Sequence, residues 1–208
     1  MKSIVCFFCF SFNFLFANSI DVTVSILPQK YFVEKIAKDK VNVNVMVKPG
    51  FSPHNYEPKT SQMIKLSDSK IYFSIGVTFE KVWLDKFKSS NKNMKIIDTS
   101  KGVTKQAILQ HDHENENERE DESNNKIQLN HNGLDPHIWL NPILVKQQAF
   151  NIYKALSNID ETNKTFYWNN YNSFIKELEL LDGKLKDILK ESKHTAFMVF
   201  HPSWGYFA

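Results

Sequence analysis

Residues 21–50 read DVTVSILPQKYFVEKIAKDKVNVNVMVKPG, and the spacing of their apolar residues decides the fold. Val22, Val24 and Ile26 alternate with polar residues up to Pro28, a period of two that suits a strand running into a turn. From Gln29 to Ala37 the spacing changes, and Tyr31, Phe32, Val33 and Ile36 mark a short amphipathic helix. Val41, Val43, Val45 and Val47 then alternate with Asn42, Asn44, Met46 and Lys48, a second strand that ends at Pro49-Gly50.

The same alternation continues outward. Residues 57–67 suit a helix through Met63, Ile64 and Leu66, and 71–75 form a short buried strand ended by Gly76. Residues 79–87 carry Val82, Trp83 and Phe87 on one side of a helix, and 94–97 read as another strand. Strands and helices that alternate through short connections predict βα units and a mostly parallel sheet, hence an α/β fold. Ligands in such folds gather beyond the carboxyl ends of the strands, which is where His54 falls after the strand at 41–47.

Residues 110–132 break the pattern. HDHENENEREDESNN holds seven acidic residues, one Arg and no aliphatic residue, and is expected to be a surface loop. Asn141-Pro142 signals a helix start, with the helix running to about Leu156. From 161 to 190 apolar residues recur at threes and fours, predicting one helix of more than about 40 Å that could brace two lobes, with Gly183 as its weak point. Residues 195–200 read as a strand that delivers His201, and the chain stops seven residues later, a poor place for a natural terminus. The expected organisation is therefore a leader at 1–17, a metal-binding α/β lobe at 18–160 that includes the acidic loop, a linking helix at 161–191, and the start of a second, similar lobe at 192–208.

Bulk properties narrow the function. A net charge of +3 over 208 residues, evenly spread, gives no electrostatic reason to expect nucleic acid. Met1-Lys2, the apolar run from Ile4 to Phe16 and the small Ala17 read as a secretory signal peptide cut after Ala17. Both cysteines, Cys6 and Cys9, lie inside it, so the exported chain would have neither disulfides nor sulfur ligands. A metal site would then be built from His, Asp, Glu and water, in a bacterial cell envelope.

Three histidines in turn-forming segments are the candidates: His54 in KPGFSPHNYEP, His137 in GLDPHIWLNP and His201 in FHPSWGYFA. Three imidazoles are a common core of a zinc site. Each also has a plainer reading: a surface histidine at 54, a packed turn histidine at 137, a hydrogen-bonded strand-edge histidine at 201. Asp135 could cap a turn or orient the His137 ring, and Trp139 reads as core. Glu57, Asp98 and Asp135 are acidic groups without enough context to name a fourth ligand. His111 and His113 could share one ion as an auxiliary site, at an ordering cost. His131 has no distinctive context, and His194 reads as structural or exposed.

VSILPQKYFVEKIA, VMVKPGFSPHNYEPKTSQM, LDPHIWLNP and FMVFHPSWGYFA together resemble the family of periplasmic metal receptors for zinc and manganese that serve bacterial ABC uptake systems, and within it the zinc receptors. The resemblance runs from about Asp21 to the end, interrupted by the acidic loop. It implies two α/β lobes joined by a long rigid helix with metal between them, and it maps the three ligand positions onto His54, His137 and His201. Manganese members usually carry Glu at the third position, so His201 favours zinc, as does the nitrogen donor set. The acidic loop resembles that of the zinc receptors, though it is short and holds few histidines. It also implies a periplasmic, monomeric solute-binding protein that hands Zn2+ to an inner-membrane permease and catalyses nothing; a secreted zinc hydrolase would need an activated water and a base, and no HExxH is present. A manganese or iron receptor, or a metal-linked adhesin, is the alternative. The family's complete second lobe, with its late Asp or Glu, has no counterpart here, so the expectation is a truncated member.

Overall fold

A computed structural model describes residues 19–107, 133–192 and 196–208. The expectations for the leader at 1–17, for the acidic segment with His111, His113 and His131, and for His194 lie outside the described residues.

Four strands, β1 (Ile20–Ile26), β2 (Val41–Val47), β3 (Ile71–Ser74) and β4 (Lys95–Asp98), form one sheet in the order β2-β1-β3-β4. Every pairing is parallel, with Val22 beside both Val43 and Ile71. Helices α1 (Leu27–Ala37), α2 (Thr60–Asp68) and α3 (Glu80–Ser90) make the crossovers, and α4 (Pro142–Ile159) and α5 (Lys164–Lys190) follow. The reading of 21–50 as strand, helix, strand therefore holds, as does the α/β class.

A central parallel strand is covered on both faces, and β1 shows what that demands. Val22 and Val24 enter a core with Phe32, Val33 and Ile36 of α1, Ala149 and Ile152 of α4, and Phe174 of α5. The alternating Thr23 and Ser25, which look solvent-facing in the sequence, are fully buried and satisfied by side-chain hydroxyls: Thr23 by Ser69 at 2.7 Å, Ser25 by Tyr72 at 2.6 Å. The opposite face of the sheet packs on α2 and α3 through Met46, Leu66, Tyr72 and Phe87.

The helix boundaries follow local chemistry. Pro28 sits in the first turn of α1, where its missing N–H costs nothing. Asn141 caps α4, its side-chain oxygen accepting from the N–H groups of Ile143 and Leu144 at 2.9 and 3.2 Å. α2 begins at Thr60 rather than 57, because Pro58 keeps Glu57 out of the helical region. The long periodic stretch splits into a 3-10 turn at Glu161–Asn163 and the 27-residue α5, about 40 Å long, which continues through Gly183. Up to Leu178 it buries Tyr167, Phe174 and Leu178 against α1 and α4, whereas Leu180, Leu181, Ile188 and Leu189 beyond are exposed.

One expected element is absent. Residues 196–200 form no strand, and Met198 and Phe200 are almost wholly exposed. A strand is made by its neighbour's hydrogen bonds, and among the described residues no strand pairs with this run. No described helix is long and apolar enough to cross a membrane.

Candidate metal centre

The strand order reverses between β1 and β3, and the crevice beyond the carboxyl ends at such a point is the expected ligand position. Three loops meet on that side. The first, residues 48–59 after β2, carries His54. The second, residues 75–79, joins β3 to α3. The third, residues 133–141, leads into α4 and carries His137. Residues 201–208 lie across them. His54, His137 and His201 line one cleft of about 360 Å³, with Ser52, Trp139 and Trp204 among its walls.

The three rings do not stand alike. His137 is buried at 8% exposure, whereas His54 and His201 are exposed. Asp135 Oδ1 accepts both the His137 backbone N–H at 2.9 Å and its ring Nδ1–H at 2.6 Å. An ionised carboxylate only accepts, so this contact assigns the proton to Nδ1 and leaves the Nε2 lone pair free. Burial pulls the His137 pKa below the ordinary imidazole value; Asp135 partly offsets this, and His201 and His54 add to the lowering. The ring is therefore held neutral, the form that ligates a metal. Trp139 packs against it with centroids 4.9 Å apart, so this tryptophan serves both the core and the cleft wall.

His201 is the common neighbour of the other two, its ring centroid 5.2 Å from that of His137 and 5.5 Å from that of His54. Its Nε2 is 3.4 Å from Nε2 of His137. That is long for a hydrogen bond. It is close to the roughly 3.3 Å that separates two nitrogens on a tetrahedral ion with bonds of about 2.0–2.1 Å. His54 turns its Nδ1 to the Thr78 hydroxyl at 3.1 Å. Among the described residues, no three His, Cys, Asp or Glu side chains are placed so that they could hold a metal ion as they stand. The rings converge on one cleft, but the cage is open.

Behind the cleft lies a buried polar network. Glu80, 2% exposed, accepts from the Ser25 hydroxyl, from Ile75 N–H at 3.0 Å and from Gly76 N–H at 2.8 Å. Burial raises its pKa, and those donors pull it part of the way back. Lys105 donates to the Ile75 carbonyl at 2.7 Å, and burial lowers its pKa despite Asp98, Glu80 and Asp135 nearby. Gly76 has φ +92°, a backbone conformation that calls for glycine. The C-terminal residues also dock here: the Tyr206 hydroxyl donates to the Asp135 carbonyl at 2.9 Å and accepts from Gln106 N–H at 2.8 Å.

Of the acidic candidates, Asp135 orients His137. Asp98 bonds the backbone and hydroxyl of Ser100, and Glu57 is exposed; neither lines the cleft. Thr78, Glu80 and Tyr206 were not foreseen. A signal for Glu80 exists: it shares helical spacing with Trp83, Leu84 and Phe87, an acid set on the apolar stripe of α3. No comparable signal marks Thr78 or Tyr206.

A family model described as "ZnuA: Zinc-uptake complex component A periplasmic" matches residues 22–208, and the chain belongs to this family. It is 27% identical over 196 residues to the high-affinity zinc uptake system protein ZnuA of Bacillus subtilis, covering 92% of this chain and 58% of that one. It is 28% identical over 186 residues to a putative metal-binding protein of Chlamydia trachomatis, covering 89% and 60%. Its fold matches the crystal structure of a ZnuA 138–173 deletion mutant with zinc bound at a TM-score of 0.79 and 42% identity, covering 91% of this chain and 66% of that one. The chain thus spans about three fifths of the length of these curated relatives.

Proposed function

We propose that this chain captures Zn2+ through His54, His137 and His201 and belongs to a periplasmic receptor that passes the ion to an ABC permease. The observation that carries this is the 3.4 Å approach of two Nε2 atoms, one of them on a ring whose proton is held by Asp135 on the far side. Such an arrangement, with a carboxylate behind a ligating imidazole, raises ligand basicity and fixes ring orientation. Supporting it, the family is described as a zinc-uptake component, and the Bacillus relative carries a zinc-uptake name. In this reading the protein performs no covalent chemistry. It acts as a monomer after removal of residues 1–17. Residues 18–160 are the capturing lobe, α5 is the brace and 192–208 open a second lobe. His111 and His113 add an auxiliary site in the acidic segment.

Zinc affinity, measured against a competing chelator with the 208-residue chain and with manganese as rival, tests this. The expected result is one tightly held zinc per chain, lost in His137→Ala and not displaced by equimolar manganese. Binding unchanged in His137→Ala, or manganese preferred, overturns it.

A further inference from the structure

We propose that Glu80, a buried carboxylate that does not line the cleft, is a positioning residue for His54: it fixes the turn 75–79, and that turn holds the His54 imidazole with its ligating nitrogen open. The inference rests on the zinc reading above and extends it to residues that touch no ion.

The argument follows the hydrogen bonds outward. Glu80 is the first residue of α3, yet its carboxylate folds back to take the N–H groups of Ile75 and Gly76. On its other side it accepts the hydroxyl of Ser25, which in turn pairs with the Tyr72 hydroxyl at 2.6 Å. Ser25 and Tyr72 belong to the rigid centre of the sheet, so Glu80 ties the turn to β1 as well as to β3. Lys105 takes the Ile75 carbonyl. With its first residues clamped on both sides, the turn has little freedom left when it reaches Thr78 and Phe79.

Those two residues make the hydrogen bonds to the His54 segment. Phe79 N–H donates to the Pro53 carbonyl at 3.0 Å, and the Thr78 hydroxyl meets His54 Nδ1 at 3.1 Å. Elsewhere in the segment, Ser52 Oγ accepts the His54 backbone N–H at 3.2 Å, and Tyr56 donates to Gln62 at 2.7 Å and packs on Phe51 and Phe79. Tyr56 holds the backbone two residues away and leaves the ring of His54 free to rotate. The ring itself meets the Thr78 hydroxyl and the edge of the exposed His201 ring, and of these two Thr78 makes the hydrogen bond that can set its orientation, as Asp135 does for His137. The Thr78 hydroxyl can accept from Nδ1–H or donate to Nδ1; in the first arrangement, the one proposed, the Nε2 lone pair is left for an ion.

A hydroxyl is a weaker orienting partner than a carboxylate, and loss of such outer partners costs about 10–100-fold in metal affinity. The lower end applies here. The test uses ring 15N NMR of the metal-free 208-residue chain together with its zinc affinity, for wild type, Thr78→Ala, Thr78→Ser and Glu80→Gln. Thr78→Ala leaves the buried network intact, so it reports even if Glu80→Gln is poorly folded. The expected result is an Nδ1–H His54 in the wild type, a shift away from that tautomer in Thr78→Ala and Glu80→Gln with affinity down about tenfold, and restoration in Thr78→Ser. His54 signals and affinity unchanged in both Thr78→Ala and Glu80→Gln would overturn the proposal. Ring signals that shift in a chain that binds no zinc would sink the zinc reading and leave the positioning of His54 standing.

Discussion

His137 and His54 face the same cleft from opposite conditions. His137 is packed into the wall, its ring tilted against Trp139, with Nδ1 held by a buried carboxylate 2.6 Å away. His54 rides an exposed loop and is held by a hydroxyl at 3.1 Å. His201, also exposed, already reaches 3.4 Å from His137. The difference teaches that the site is half built. One imidazole is fixed by the same packing that makes the core, and the other two are exposed on segments anchored by the buried Tyr56 and Tyr206. On the zinc reading proposed above, such a division would let an ion be gripped without a rigid cage and would place the ease of release on the exposed pair.

Breaking the fixed side should have the largest effect. His137→Ala removes a ligand and leaves Asp135 buried without its partner, so zinc affinity should fall by more than about a hundredfold, beyond the 10–100-fold typical of an outer partner. Chelator competition measures this, with circular dichroism confirming the fold. His54→Ala, on the exposed side, should cost visibly less; equal losses would erase the distinction between the two rings. Asp135→Asn keeps the shape but lets the amide present a donor to Nδ1, so the tautomer is no longer imposed, and a loss of about 10–100-fold is expected in the same assay.

Proton competition sharpens the contrast. The His137 pKa is lowered in the folded chain. The unfolded chain therefore takes up the proton first as pH drops below about 6.5, and the stability this group contributes above that value is lost as pH falls through the folded value. Ring NMR of the metal-free chain should give His137 a midpoint below that of a free imidazole, and a midpoint above it would contradict burial as the dominant cause. The smallest effect is expected at Tyr206. Tyr206→Phe deletes the hydroxyl shared by Gln106 and Asp135 and should cost about 1 kcal/mol in chemical unfolding, with His137 still in place.

The parts legible in the sequence were those set by local chemistry. Alternating valines at 41–47 gave β2 to the residue, and Asn141-Pro142 marked the start of α4. Turn-forming neighbours picked out His54, His137 and His201, which line one cleft. Less legible were features that depend on what packs against a segment. Thr23 and Ser25 look exposed until β1 is known to be central. The run at 195–200 reads as a strand, but among the described residues no strand pairs with 196–200. Thr78 gains meaning only because the loop after β2 folds over the turn after β3, an arrangement created by the crossover of β3 to the far side of β1.

The most direct test of the central claim, that three imidazoles from separate segments share one ion, is X-ray absorption at the zinc edge. The chain should carry His111→Ala and His113→Ala, so that only the cleft reports. The account predicts nitrogen at about 2.0–2.1 Å with three imidazole rings, falling to two in the further variant His54→Ala. An ion surrounded mainly by oxygen, or an imidazole number that His54→Ala leaves unchanged, would contradict it.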